Sequence, residues 1–342
     1  MSPTKLLSIG VVGATGMVGT EFLKILEQRK FPIGDLKLFA SESSKGSFLN
    51  FRGKKYEIET LRSGCFSGLD LVFFSSGDNI SAEWAPKAVQ EGAFAVDNSA
   101  AFRMNPEVAL VVPEVNGHLL EQMSEPTIIA NPNCSTIQLV VALNPLKNKF
   151  GISHVRVASY QSVSGAGKAA VDELTQQTVA KLNHQEFKNE VFPHPIAFNN
   201  IPQIGSFGSD GFCSEEVKIR KETKKILEDQ DIKVSAFTVR TPTLNGHSEA
   251  VWVTLNAETS KEHIHNALKS GAGIHLIDDP TQSQYPLTAM ASGTDPVYVG
   301  RVHADPDDKK TWLMWVVSDN IRKGAALNGI QIAEMLFKLS DQ

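Results

Sequence analysis

LLSIGVVGATGMVG, residues 6–19, decides the fold. Leu6 to Val12 is a short apolar run that ends in a loop carrying Gly13, Gly16 and Gly19. From Met17 to Arg29, Val18, Phe22, Leu23, Ile25 and Leu26 recur at helical spacing. The pattern is strand, glycine loop, helix. Glycine permits a tight turn and a close backbone approach, and a helix start presents N–H groups and the positive end of its dipole to an anion. A dinucleotide pyrophosphate is the expected occupant, held by Gly13, Thr15, Gly16, Met17, Val18 and Gly19, whereas a purely structural turn is the alternative.

Outward from this loop the pattern repeats. A second strand is expected at Leu36 to Ala40, with further apolar runs at Leu69 to Phe74, Phe94 to Val96, Ala109 to Val112 and Thr127 to Ala130, and a helix at Ser81 to Gln90. Short apolar strands alternating with helices indicate a doubly wound parallel sheet of the Rossmann type. After Pro132 the texture changes. A helix from Ser135 to about Lys147 leads to longer strands at Val155 to Val163, Val234 to Val239, Ala250 to Leu255 and Trp312 to Ser318, which fits an α+β domain with a mostly antiparallel sheet. Asn199 to Ser214 is loop-rich, and Ala325 to Leu339 is an amphipathic helix.

The totals are those of a globular chain: 342 residues, 42% hydrophobic, 21% charged, with a net charge of -5. Such a charge offers no basic footprint for nucleic acid or an anionic membrane, and no apolar stretch reaches the roughly 20 residues that span a bilayer. The apolar start reads as a first strand rather than a signal peptide, so a cytoplasmic location is expected. Three cysteines argue against a disulfide framework, and Cys65 and Cys213 read as small buried hydrophobes. No metal is expected.

Cys134 reads differently. In Asn131-Pro132-Asn133-Cys134-Ser135-Thr136 the proline stops a strand, Asn133 suits a helix cap, and the thiol falls in the first helical turn. There the dipole and backbone N–H groups stabilise a thiolate, against the alternative of a buried structural cysteine. The candidate base is His247, one of nine histidines, placed by Pro242 and Gly246 in a loop between two strands. Arg103 and Arg240 suit bidentate recognition of phosphate or carboxylate; Lys218 comes after the glycine-rich loop but also reads as a solvated helix face. Ser162-Val-Ser164-Gly165-Ala-Gly-Lys168 resembles a phosphate loop without Walker spacing, and would instead approach a nicotinamide. After the second strand, Ser41, Ser43, Ser44 and Lys45 favour a 2′-phosphate and hence NADP, while Glu42 leaves NAD open.

GVVGATGMVG, DNSAAFRM, VVPEVN, NPNCSTIQLV, YQSVSGAGK, EEVKIRKETKKIL, RTPTLNGHSE and VSDNIRKGAALN occur in the order found in the aspartate-β-semialdehyde dehydrogenases, and the chain resembles that family along essentially its whole length. The resemblance implies NADP-dependent reductive dephosphorylation of L-4-aspartyl phosphate to L-aspartate 4-semialdehyde. That step, which releases inorganic phosphate and is reversible, the reverse oxidation consuming phosphate, belongs to lysine/diaminopimelate, threonine, methionine and isoleucine biosynthesis. It makes Cys134 the acyl-carrying thiol, His247 the acid/base and Gln161 the residue orienting the intermediate. Glu215 and Arg240 match positions at the amino-acid end of the substrate, and Arg103, Asn133 and Lys218 those around phosphate. Thr15 to Val18, Ser43, Ser44, Gly165 and Asn320 resemble cofactor contacts. Two positions depart: Ser43 stands where many relatives have arginine, and Ser99-Ala100 replaces a serine pair. The resemblance also implies a discontinuous nucleotide domain, 1–132 with 324–342, a catalytic domain at 133–323, and a homodimer. An N-acetyl-γ-glutamyl-phosphate reductase-like enzyme and a catalytically inactive paralogue are the rival readings.

Overall fold

The computed structural model describes residues 6–339, and the chain divides into two compact units: one runs up to Asn133 and resumes at Ala325, and the other is Cys134–Gly324. In the first unit, β1 (Leu7–Val12) leads through the glycine loop into α1 (Met17–Gln28) and β2 (Ile33–Phe39). A hairpin comes next, β3 (Phe48–Phe51) and β4 (Lys54–Glu59), then β5 (Leu71–Phe74), α2 (Asp78–Gln90), β6 (Phe94–Asp97), β7 (Ala109–Leu110), the single turn α3 (Pro113–Asn116) and β8 (Ile128–Ala130).

The sheet order is β3-β4-β2-β1-β5-β6-β8-β7, parallel throughout except for the β3–β4 pair. The chain steps from β1 to β2 on one side and later to β5 on the other, so the strand order reverses at β1, whose carboxyl end carries the glycine loop. Open α/β sheets bind ligands at such a reversal. Both faces of β1 are buried. Ile9 and Val11 join Phe22, Ile25 and Leu26 of α1 in one core, and Val12 joins Val72, Phe74, Ala85 and Ala88 in the other.

The β3–β4 hairpin was not expected from the sequence. Its two-residue turn, Arg52-Gly53, has both φ values positive (49° and 74°), a conformation usually signalled by Asn-Gly or Asp-Gly. The strand expected to reach Val112 stops at Leu110, because Pro113 starts α3.

The second unit opens with α4 (Cys134–Phe150) and β9 (Ile152–Gln161), succeeded by α5 (Lys168–Leu182), α6 (Ser214–Ile226), β10 (Lys233–Arg240) and β11 (His247–Leu255). Next come α7 (Lys261–Lys269), β12 (Ile274–Leu276), the short α8 (Thr288–Ala291), β13 (Val297–Ala304) and β14 (Thr311–Ser318); α9 (Leu327–Leu336) then belongs to the first unit. Its Leu327, Ile330, Ile332 and Ala333 pack in the core that holds α1. The second sheet has the order β10-β9-β11-β14-β13-β12, antiparallel at three of its five pairings. Two expectations change here. β9 ends at Gln161, with Val163–Ala166 forming a 3-10 turn, and His247 is the first residue of β11 rather than part of a loop.

Register gives this sheet its functional content. Arg240 of β10 lies beside Gln161 of β9, and His247 of β11 lies beside Ser318 of β14. The neighbouring pair Ser248–Tyr160 sets His247 next to Gln161. Arg240, Gln161, His247 and Ser318 therefore form one row across four strands, on one face of the sheet. Two residues along each strand lies a second row, Thr238, Ser159, Glu249 and Val316.

Candidate active site

In the first unit the glycine loop is built for a close approach. Gly13 has φ +80°, and a Cβ there would lie 2.6 Å from the Ser75 carbonyl oxygen; a Cβ on Gly19 would overlap the Gly13 carbonyl. Gly16 caps α1 without a side-chain hydrogen bond, and the first turn of α1 has no acid. Thr15 and Gly16 are exposed, and Met17 and Val18 are half-buried. The loop thus offers a helix N-terminus with no side chain in front of it, which suits a pyrophosphate. After β2, Glu42–Ser44 form a 3-10 turn in which the exposed Ser41 and Ser43 hydroxyls sit 2.8 Å apart. Lys45 meets Glu42 at 3.5 Å, both side chains being exposed.

Arg103 is buried, with Nε donating to the Asn131 carbonyl and Nη2 to the Asn98 carbonyl, both at 2.9 Å. Asn131 is fixed in turn by Asn98 and by Asn328 of α9. Asn133, the last residue before the chain leaves this unit, is buried.

The second unit gathers the remaining candidates. Cys134 is the first residue of α4 and is half-buried. Gly324 packs directly against it, so that a Cβ there would come 2.9 Å from the Cys134 Cβ. His247 is fully buried. Its Nδ1 accepts the Ser162 backbone N–H at 3.1 Å, with the Ser162 hydroxyl also at 3.1 Å. An Nδ1 that accepts an N–H leaves the ring proton on Nε2. That Nε2 has no hydrogen-bond partner. Burial, then the positive charge of Arg240, pushes the His247 pKa down to about 3, against a smaller opposing effect of the Gly246 backbone. The ring is therefore neutral at pH 7, with a buried N–H donor awaiting an acceptor.

Gly165 keeps the space in front of that donor open. A Cβ on Gly165 would lie 3.2 Å from His247 Nε2 and 3.0 Å from Arg240 Nη1. Arg240 is anchored by an Nη1 bond of 2.6 Å to the Ser162 carbonyl. Its burial lowers its proton affinity, while Glu215 and Cys134 nearby raise it. Gln161 donates from Nε2 to Glu215 Oε1 at 3.2 Å, and Lys218 Nζ approaches Glu215 Oε2 at 3.7 Å from a side chain 38% exposed. A buried carboxylate and guanidinium beside a neutral imidazole can bind a zwitterionic amino-acid end and polarise an oxygen next to it.

Sequence reading missed Ser162 as the group that fixes the tautomer of His247. Ser164 and Asn320, expected among the cofactor contacts, are both buried and hydrogen-bonded to each other. Asn320 Oδ1 accepts from Ser162 Oγ and Gly246 N–H, and its Nδ2 donates to Ser164 Oγ, so this side chain ties the Ser162 turn to the start of β11. The period-2 spacing of Ser159 with Gln161 and of His247 with Glu249 was the available signal for the second row. Among the described residues no three His, Cys, Asp or Glu side chains cluster to hold a metal, and no helix is long and apolar enough to cross a membrane.

Comparison with known proteins agrees with this chemistry. Residues 8–123 match the family model for the semialdehyde dehydrogenase NAD binding domain, and residues 143–323 that for the semialdehyde dehydrogenase dimerisation domain. The chain is 49% identical over 332 residues to an aspartate-semialdehyde dehydrogenase of Aquifex aeolicus, covering 96% of this chain and 98% of that one. It is 45% identical over 342 residues to that of Bacillus subtilis, covering 98% of each. Among solved structures, aspartate semialdehyde dehydrogenase II from Vibrio cholerae superposes with a TM-score of 0.95 at 42% identity, over 98% of this chain and 100% of that one. A structure of the same enzyme complexed with ASA also gives 0.95, at 41% identity over 98% and 99% of the two chains. The Candida albicans enzyme with NADP gives 0.76 at 26% identity, over 97% of this chain and 98% of that one. The chain belongs to the aspartate-semialdehyde dehydrogenase family, oxidoreductases that act on an aldehyde group.

Proposed function

We propose that the chain catalyses NADPH-dependent reductive dephosphorylation of L-4-aspartyl phosphate to L-aspartate 4-semialdehyde, reversibly, through a thioester on Cys134. The observation that carries this reading is the row Arg240, Gln161, His247, with an unpartnered imidazole N–H opening onto the space kept by Gly165. In the biosynthetic direction the Cys134 sulfur attacks the acyl carbon and the carbon–oxygen bond to phosphate breaks, releasing inorganic phosphate. Arg103, Asn133 and Lys218 are assigned to that phosphate, two of them by positive charge. A reduced nicotinamide cofactor held by the glycine loop at Gly13, Thr15, Gly16, Met17 and Val18 would supply the hydride for the acyl carbon on Cys134, taking it from the thioester to the hemithioacetal level. His247 donates its Nε2 hydrogen bond to the oxygen that becomes negative, and the sulfur then leaves as the aldehyde forms. Sulfur serves both halves because it is a strong nucleophile and a good leaving group.

At the other end of the substrate, Arg240 takes the α-carboxylate and Glu215 the α-ammonium, with Gln161 orienting the acyl group between them. The hydroxyls of Ser41, Ser43 and Ser44, with Lys45, support NADP over NAD, and the exposed Glu42 is held by Lys45 at 3.5 Å. The family assignment supports a cytoplasmic role in lysine/diaminopimelate, threonine, methionine and isoleucine biosynthesis.

The other face of the second sheet supports a homodimer. Tyr160, Trp252, Phe237 and Trp315 alternate along their strands with the residues of the catalytic rows. Phe237 is 57% and Leu287 53% exposed, and a cavity of about 410 Å³ on this face is lined by Trp252, Leu287, Leu313 and Trp315. An apolar face of this kind is stabilised by covering it.

The enzymatic reading is tested by NADP reduction with aspartate semialdehyde, with and without phosphate. Phosphate-dependent turnover that disappears in Cys134→Ser is the expected result. Phosphate-independent turnover, or retention of activity in that variant, would overturn the acyl-transfer scheme.

A further inference from the structure

Beneath the catalytic row lies a buried carboxyl that the reaction scheme leaves unused. Glu249 is two residues from His247 on β11, on the same face, in register with Ser159 of β9 and Val316 of β14. It is completely buried, and neither carboxyl oxygen has a hydrogen-bond partner. The groups facing it are few. From α4 comes Gln138, one turn after Cys134, whose Oε1 accepts the Ser318 hydroxyl at 2.7 Å and whose Nε2 is also unpartnered. From α6 comes Glu215. From β9 comes the Ser159 hydroxyl, which accepts from Gln161 Nε2 at 3.3 Å. Among the described residues no cation pairs with Glu249, and the guanidinium of Arg240 is anchored on the Ser162 carbonyl.

An ionised carboxylate in this position would be desolvated and repelled by a second carboxylate, with only the Gln138 amide to offset part of that cost. A proton removes the charge and with it the repulsion, leaving a neutral polar group whose burial costs far less than that of an ion. Glu215 is differently placed, since it has Gln161 on one oxygen and Lys218 near the other. We infer that Glu249 is a positioning residue, an uncharged carboxylic acid that supports the Ser159–Gln161–Glu215 chain from below and leaves Glu215 the single negative charge presented to the substrate's ammonium group. The last part rests on the assignment of Glu215 to that group. The protonation of Glu249 does not, because it arises from burial and neighbours in the free enzyme. Burial, with the charge of Glu215, pushes the Glu249 carboxyl well above the usual carboxylate range, and Gln138 only partly opposes this.

Three readouts on the intact enzyme test the inference. The infrared spectrum of the free enzyme at pH 7 should contain a protonated-carboxyl C=O stretch that Glu249→Gln removes. Glu249→Gln should also melt higher than wild type at pH 8, with a gap that closes near pH 4. The sign comes from proton uptake: with its folded pKa above the unfolded value, Glu249 costs the native state stability as pH rises through that window. An unchanged spectrum together with a pH-independent melting gap would show Glu249 to be ionised, and would overturn the inference whatever the role of Glu215. Positioning is read from kinetics. Glu249→Leu should raise KM for aspartate semialdehyde by about tenfold with the KM for NADP unchanged, and Glu249→Gln should restore it. If the leucine variant keeps the wild-type KM, or if both KM values rise together, Glu249 does not position the substrate-binding chain.

Discussion

At the scale of the residue, the site depends on how single side chains are held. In the proposed reaction His247 serves as donor because Ser162 fixes its tautomer and burial keeps it neutral, which readies its N–H before substrate arrives. The same burial has a consequence for stability. With a folded pKa of about 3 against an ordinary 6.5, the unfolded chain binds the extra proton between those values. Stability should therefore fall as pH drops from about 6.5 toward 3, and His247→Gln should flatten that part of the melting curve. A pH-melting series on both proteins checks this; equal slopes would mean the ring is charged in the fold. Arg240→Lys keeps the charge and loses the planar fork. With about 1.5–3 kcal/mol at stake in a charge-assisted hydrogen bond, kcat/KM for aspartate semialdehyde should fall roughly ten- to hundredfold. Cys134, His247 and Arg240 were candidates in the sequence because each stands beside a proline, a glycine or a strand end, and the family resemblance singled out His247 from nine histidines. Glu249 and Gln138 could not, because a glutamate within VWV-type strand residues announces burial only once β9, β14 and α4 enclose it.

At the scale of the element, two glycines act by having no side chain. Gly165 leaves room in front of His247 and Arg240, so Gly165→Ala should lower kcat/KM while leaving the melting temperature near wild type, as steady-state kinetics and thermal unfolding would show. Gly13→Ala should behave differently. Its positive φ and the carbonyl 2.6 Å from a new Cβ make the variant strained by roughly 1–3 kcal/mol, with nucleotide binding weakened in a fluorescence titration. The strand–glycine–helix unit was legible because periodicity changes from apolar run to helical repeat across a fixed loop. The β3–β4 hairpin was hidden by Arg52-Gly53, which adopts the turn without its usual residues. Likewise His247 looked like a loop residue from Pro242 and Gly246, yet β11 begins at His247 itself, paired with Ser318. That pairing places it in line with Gln161 and Arg240, a relation no local pattern contains.

At the scale of the molecule, the sequence separates into a parallel, doubly covered sheet and a mixed sheet with the candidate catalytic row on one face and apolar residues on the other. Composition and strand length announced both sheets, whereas the assignment of faces required the register. The apolar face carries its own expectation. Leu287→Glu with Phe237→Glu should shift the enzyme from dimer toward monomer in analytical ultracentrifugation, and an unaltered dimer would place the interface elsewhere. The central claim concerns Cys134 and can be tested directly by mass spectrometry. Enzyme incubated with aspartate semialdehyde and NADP in the absence of phosphate, then quenched in acid, should carry one aspartyl group on the Cys134 peptide. Phosphate should discharge that group, and Cys134→Ser should never acquire it. An aspartyl adduct on another residue, or full turnover with no adduct on Cys134, would contradict the account.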